Sequence, residues 1–355
     1  MAISAYRRTM RLLIIILLIQ STKSQWNTEP GDPDVAPYAP HPLCYFTGPK
    51  ELTCNLADLH IPGNFNSSVL YSNTSRIYPF VNNLILDCPT SANRTYCNTI
   101  GPNATALSSK MWMWDMTLIG FQAEGGGRAP IDVLVAELDS LLHLHVHYSK
   151  IGTLDRHFLR RFDALRELDI RNNDISAIEL NALEPLLELS KLKLGGNAMQ
   201  AFDWSVLQPV AKKLRLLEVD AQTPPLQTLR RSGPLFSLNI TTLSLNRNRL
   251  PSVPKDILDS LDIGQYGDVT FDIRQNPVCP DKADCSCCAL KGLANWFANH
   301  SANPASRWNN PAGGKKWTMT VQATCGTNWN AGRPDAVKEF TLSNPLLPSS
   351  YEPCH

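Results

Sequence analysis

The chain has little charge. Asp, Glu, Lys and Arg make up 18% of its 355 residues, against roughly 25% in an average globular chain. Basic residues number 33 and acidic residues 32, a net +1. That balance argues against a nucleic-acid binder and predicts no acidic partner. Disorder is excluded from the other side, because 43% of the residues are hydrophobic. Long apolar runs are also scarce. A bilayer-spanning helix needs about 20 apolar residues. The run from Leu12 to Ile19 is too short, and no later segment qualifies. The tail from Asn344 to His355 is not hydrophobic, which speaks against a glycolipid-anchor signal and membrane insertion. Catalytic signatures are missing: no G-x-S-x-G, H-E-x-x-H, P-loop or G-x-G-x-x-G occurs. Gly125, Gly126 and Gly127 precede Arg128 and Ala129 rather than a phosphate-binding signature, and read as a loop.

Cysteine is present in strength, ten residues in all, which calls for an oxidising compartment or a metal. The N-terminus selects the compartment. Arg7, Arg8 and Arg11 precede the apolar run, and Thr22 and Ser24 place small residues at −3 and −1 of a cleavage site. Residues 1–24 thus read as a signal peptide, and the mature protein as secreted. They hold four basic residues and no acidic one, so cleavage leaves 29 basic against 32 acidic residues, a net −3. Six N-x-S/T sequons, at Asn66, Asn73, Asn93, Asn103, Asn239 and Asn299, predict a glycoprotein. Residues 25–43 carry Pro30, Pro33, Pro37, Pro40 and Pro42 and read as a disordered lead-in.

A length of 355 residues suits a barrel, a sandwich or a repeat array better than one ordinary core. The centre of the chain is a repeat. Its template is L-x-x-L-x-L-x-x-N with apolar residues two and five positions after the Asn. The fullest copies are Leu165, Leu168, Ile170, Asn173, Ile175, Ile178; then Leu189, Leu192, Leu194, Asn197, Met199, Phe202; then Ile240, Leu243, Leu245, Asn248, Leu250, Val253. Weaker copies start at Leu141, with Ser149 in the Asn place, and at Leu214, with Gln222 there. A terminal copy runs Phe271, Ile273, Asn276, and two more begin near Val81 and Trp114. From 141 to 268 the starts recur every 24 to 28 residues. The L-x-L core has period two, hence a short strand with both leucines on one face. A buried Asn just beyond it can bond backbone groups that a tight turn leaves unpaired. One repeat cannot bury its apolar side, but a stack of repeats can.

This pattern resembles the extracellular leucine-rich repeat family across roughly residues 80–280. The resemblance implies an α/β solenoid, a horseshoe of about eight strands with a parallel concave sheet and disulfide-stabilised caps. Cysteines lie at both ends of the repeats, where caps are needed. Asn276, Pro277, Cys285, Cys287, Trp296, Phe297, Cys325 and Cys354 look like the family's cysteine-flanked C-terminal cap. The resemblance implies Cys285–Cys325 and Cys287–Cys354, with Cys279–Cys288 as an added local pair. At the N-terminal end Cys44–Cys54 and Cys88–Cys97 are the simplest pairings. The segment from Cys279 to Cys288 could also be read as a zinc knuckle, but behind a signal peptide disulfides are favoured. The domain reading is therefore 1–24 leader, 25–43 lead-in, 44–110 N-terminal cap and first repeat, 111–278 repeats, and 279–355 C-terminal cap. The layout also resembles secreted arthropod leucine-rich repeat proteins such as the non-catalytic subunit of a shrimp luciferase, which implies an accessory subunit.

Between the leucines, three positions per strand point away from the core. They are His143, His145 and His147; Glu167, Asp169 and Arg171; Lys191, Lys193 and Gly195; then Leu216, Glu218 and Asp220. Charges alternate from strand to strand, which avoids like-charge contact. Such a surface is either solvated and self-compensating or a polar docking face. The lack of sequons between Asn103 and Asn239 fits the second. The three histidines admit three readings: exposed rings beside acidic neighbours, protonation near pH 6.5 that alters docking, or a metal shared by two rings and Asp169 or Glu167. The sequence favours a non-catalytic protein binder that needs no cofactor and no metal. The alternatives are an accessory subunit of a secreted enzyme, or a metal-dependent enzyme built on the histidine strand.

Overall fold

The computed structural model describes residues 44–48, 50–55, 82–88, 97–98, 113–122, 140–160, 162–261, 269–277, 296, 319–325 and 338–343. The leader, the lead-in, the glycine run, every sequon but Asn239, and Cys279, Cys285, Cys287, Cys288 and Cys354 lie outside the described residues. Half-buried Asn239 follows an outer segment.

Twelve strands form one sheet in chain order. They are β1 Cys44–Gly48, β2 Glu51–Asn55, β3 Asn83–Asp87 and β4 Asp115–Ile119. Then come β5 His143–His147, β6 Glu167–Asp169, β7 Lys191–Lys193 and β8 Leu216–Glu218. The last are β9 Thr242–Ser244, β10 Val269–Asp272, β11 Met319–Cys325 and β12 Lys338–Ser343. Every pair from β2 to β11 is parallel. Only the outermost pairs, β1–β2 and β11–β12, are antiparallel. The sheet therefore runs past the eight strands expected and into both segments read as caps. Its two ends close with strands that have no leucine-repeat signature, which is why the repeat pattern could not reveal them.

Register explains the pattern. Leu84, Met116, Leu144, Leu168, Leu192, Leu217, Leu243 and Phe271 stand opposite one another from strand to strand. All are buried, as is the companion row Leu86, Leu118, Val146, Ile170, Leu194, Val219, Leu245 and Ile273. Full burial of such a side chain contributes about 1.5–3 kcal/mol.

Strands β4 to β10 end the same way. Gly120, Tyr148, Asn172, Gly196, Ala221, Arg247 and Gln275 take positive φ, and each immediately precedes a buried residue. For all but Gly120, that next residue is the ladder position Ser149, Asn173, Asn197, Gln222, Asn248 or Asn276. Asn197 shows what a ladder side chain does. Its Oδ1 accepts from Asn173 N at 2.8 Å and Ile175 N at 3.2 Å. Its Nδ2 donates to Ile170 O at 2.9 Å and Leu194 O at 2.8 Å. Gln222 reproduces the role with a longer arm, accepting from Met199 N and donating to Leu194 O. Ser149 does so with a shorter one, accepting from Phe121 N.

The return segments on the outer side are irregular. Short parallel pairs link Thr153–Leu154 with Ala177–Ile178 and Ala201–Asp203 with Thr228–Arg230. One-turn helices at Arg156–Leu159 and Lys255–Leu258, and a 3-10 helix at Trp204–Val210, complete them. Asp155 caps the first by accepting from Phe158 N at 2.9 Å. Trp204 is fully buried, edge-on to Phe202, and its Nε1 donates to Ser260 Oγ at 2.8 Å. Among the described cysteines none is a free thiol, and Cys54 and Cys88 are disulfide-bonded. Cys44 and Cys54 face each other across β1–β2. Among the described residues no helix is long and apolar enough to cross a membrane.

Candidate functional site

The alternation of β3, β4 and β5 leaves their first, third and fifth residues half-buried on the sheet's polar face. Register then decides which polar residues meet. His143 stands between Asp115 and Glu167. Its ring bonds the Asp115 carboxylate. His145 stands between Thr117 and Asp169, and Asp169 between His145 and Lys193.

Asp169 is the centre of this face. The exposed-row expectation fails there, because the residue is 1% exposed. Arg171, two residues on, grips both carboxylate oxygens, with Nε to Oδ1 at 2.8 Å and Nη2 to Oδ2 at 2.6 Å. His147 Nε2 lies 3.0 Å from Oδ1 and His145 Nδ1 lies 3.8 Å from Oδ2. The His147 nitrogen is sealed from solvent, with the Asp169 carboxylate beside it. Burial alone would raise the Asp169 carboxyl. The contacts with His147 and Arg171 outweigh it and hold the group well below the ordinary carboxylate range.

Glu167 is the second buried acid, 8% exposed. Lys193 Nζ reaches Oε1 at 2.6 Å and Lys191 Nζ reaches Oε2 at 3.0 Å. Burial pulls its carboxyl up, and the two lysines more than cancel that, so the net shift is downward. For His145 two effects oppose each other. Asp169 and Glu167 do favour the charged ring, yet burial is the larger effect and lowers its pKa.

Further along, Glu218 and Asp220 carry no basic partner among the ion pairs of the described residues. Burial first, and the Glu218 charge next, push the Asp220 carboxyl up to about 6. Its Oδ1 is buried without a hydrogen bond. Asp272 and Arg274 repeat the Asp169–Arg171 fork at 3.0 and 2.8 Å, from the same D-I-R triplet.

A leucine-rich repeat family model matches residues 139–199. Those residues hold β5, β6 and β7 with the Asn173 and Asn197 ladder. The fold is a leucine-rich repeat solenoid. Among solved structures, an internalin (InlF) of Listeria monocytogenes is similar at 17% identity over 56% of this chain and 49% of that one, with a TM-score of 0.34. A chain of the Drosophila Toll–Spatzle complex is similar at 14% identity over 68% of this chain and 42% of that one, with a TM-score of 0.28. Its glycosylated form gives 13%, 68%, 43% and 0.27. The chain thus spans about half or less of the length of these structures. No curated protein matches it.

The solenoid brings His145, His147, Glu167, Asp169, Arg171, Lys191 and Lys193 into one network and leaves Glu218 and Asp220 beside it. His143 joins Asp115 instead, a residue the sequence reading did not single out. Trp114 and Tyr148 were missed as well. They are exposed large aromatics, 49% and 55%, directly before β4 and directly after β5. The signal for Tyr148 lay in its place: it fills the left-handed position where Gly120 and Gly196 stand in other repeats.

Proposed function

We propose that this chain is a secreted leucine-rich repeat protein that binds a protein partner across its polar sheet face, without catalysis. One observation carries the reading. A cross-strand charge network spanning β5 to β7 holds long side chains in place while leaving several of them open to solvent, and two exposed aromatics flank it. Side chains held by ion pairs lose less freedom on docking. Trp, Tyr and Arg are the residues that most often anchor interfaces. The leader, the sequons and the proposed cap pairings Cys44–Cys54, Cys88–Cys97, Cys279–Cys288, Cys285–Cys325 and Cys287–Cys354 fit an extracellular setting. An accessory subunit of a secreted enzyme is the special case in which the partner is a catalytic chain; it predicts co-purification at fixed ratio.

Capture from the native extracellular fluid, followed by mass spectrometry, supplies the partner. Its affinity is then measured for Lys191→Glu with Lys193→Glu, for Tyr148→Ala, and for Lys255→Glu on an outer helix. The first two should weaken binding at least tenfold, and Lys255→Glu should not. Equal loss for all three, or loss only for Lys255→Glu, rejects docking on this face.

A further inference from the structure

We propose that His145, His147 and Asp169 form a site for a divalent transition ion, with zinc as the best-fitting metal. One donor atom from each of the three lies within 4.8 Å of the others. Zinc takes two imidazole nitrogens and a carboxylate oxygen readily, and its ligands in a tetrahedral shell stand a little over 3 Å apart. His147 Nε2 lies 3.0 Å from Oδ1 of Asp169 and His145 Nδ1 lies 3.8 Å from Oδ2, so both rings flank the carboxylate at about that spacing.

The molecule contains its own comparison. Asp272 and Arg274 form the same carboxylate–guanidinium fork on β10, with the same D-I-R triplet. There the neighbouring strands offer Ser244 and Gln322 at the paired positions. Asn246 Nδ2 donates to the Asp272 carboxylate at 3.2 Å. That fork is a closed structural unit. At Asp169 the amide is replaced by two imidazoles, edge-on at 6.2 Å. One of them, His147, carries a buried ring nitrogen with no hydrogen bond. That nitrogen faces the Asp169 carboxylate at 3.0 Å, and a metal seated between the two would bond both.

The carboxylate has capacity left. Its two oxygens offer about four lone-pair sites; Arg171 takes two on Oδ1, through Nε and its backbone N–H, and one on Oδ2, which leaves Oδ2 a site for the metal. By gripping Asp169, Arg171 acts as the outer-shell group that orients a ligating carboxylate. Arg171 and Lys193, whose Nζ is 4.0 Å from Oδ2, oppose a dication. The affinity expected is accordingly micromolar rather than that of a thiolate site. His143 takes no part, because its ring is bound to Asp115.

The test titrates the untagged full chain, stripped by a chelator, with zinc chloride in a calorimeter at pH 7.5. One ion per chain should bind, saturably. His145→Ala and His147→Ala should each weaken binding at least tenfold, while His143→Ala stays within twofold. Zinc should raise the melting temperature of the wild type and of His143→Ala, but not of the other two. If an alanine variant fails to fold, the glutamine variants His145→Gln and His147→Gln replace it. No saturable binding below millimolar zinc overturns the site. So does undiminished binding in both His145 and His147 variants, or an equal loss in His143→Ala. None of these outcomes bears on protein docking, which the charge-reversal variants test separately.

Discussion

Asn197, buried, and Asp220, half-buried, show opposite uses of a polar side chain withdrawn from water. Asn197 satisfies two backbone N–H and two C=O groups that the turn strands. Asn197→Ala leaves them unpaired where water does not reach. It should destabilise the chain by about 2–4 kcal/mol, read as a lower denaturant midpoint at unchanged slope. Asp220 is a cost at neutral pH. Its carboxyl titrates near 6 in the folded chain against an ordinary value of 3.8, so the folded state binds the extra proton between those values. Stability should fall as pH rises from about 4 to 6 and stay reduced above it. Asp220→Asn should therefore stabilise the protein at pH 7 by about 1–2 kcal/mol, after allowance for partial solvent screening. The gain should vanish at pH 4, and a gain that persists there would place the cause elsewhere than in the charge.

At the scale of the repeat, the turn after each strand needs one left-handed residue. Gly120 and Gly196 meet that need without strain, but their surroundings differ. A Cβ on Gly196 would meet the Asn172 Oδ1 atom at 2.0 Å, the movable end of an exposed side chain. A Cβ on Gly120 would meet the Cys88 backbone oxygen at 2.6 Å. Gly196→Ala should thus cost about 1 kcal/mol, and Gly120→Ala about 3 kcal/mol, measured by thermal melts of the two variants. Ala221 occupies the same position at φ 48°, so Ala221→Gly should be neutral or stabilising by up to about 1 kcal/mol. These elements were legible in advance where the template was full. The Asn173, Asn197 and Asn248 repeats announced both strand and turn. Ser149 and Gln222 could be placed only by spacing, because three side chains of different length do one job.

Across the whole molecule, a solenoid carries its apolar rows to the end of the stack and must cover them there. The antiparallel pairs β1–β2 and β11–β12 lie at those ends. A chain ending at Pro277 would remove β11 and bare the edge strand β10, with Phe271 and Ile273 in the rows behind it. It should elute as aggregate in size-exclusion chromatography, whereas the full chain should not. The sequence determined the repeat, its step, the ladder and which residues share the polar face, because all of these follow from periodicities of two and about 24 within a local stretch of chain. It did not determine the end strands, which have no leucine pattern. Nor could it show that Asp169 is buried, that His145 and His147 rather than His143 converge on it, or that Asp115 claims His143. Those outcomes depend on register between strands from different repeats and on how far side chains from neighbouring strands cover one another. Such contacts exist only once the strands are stacked about 4.8 Å apart.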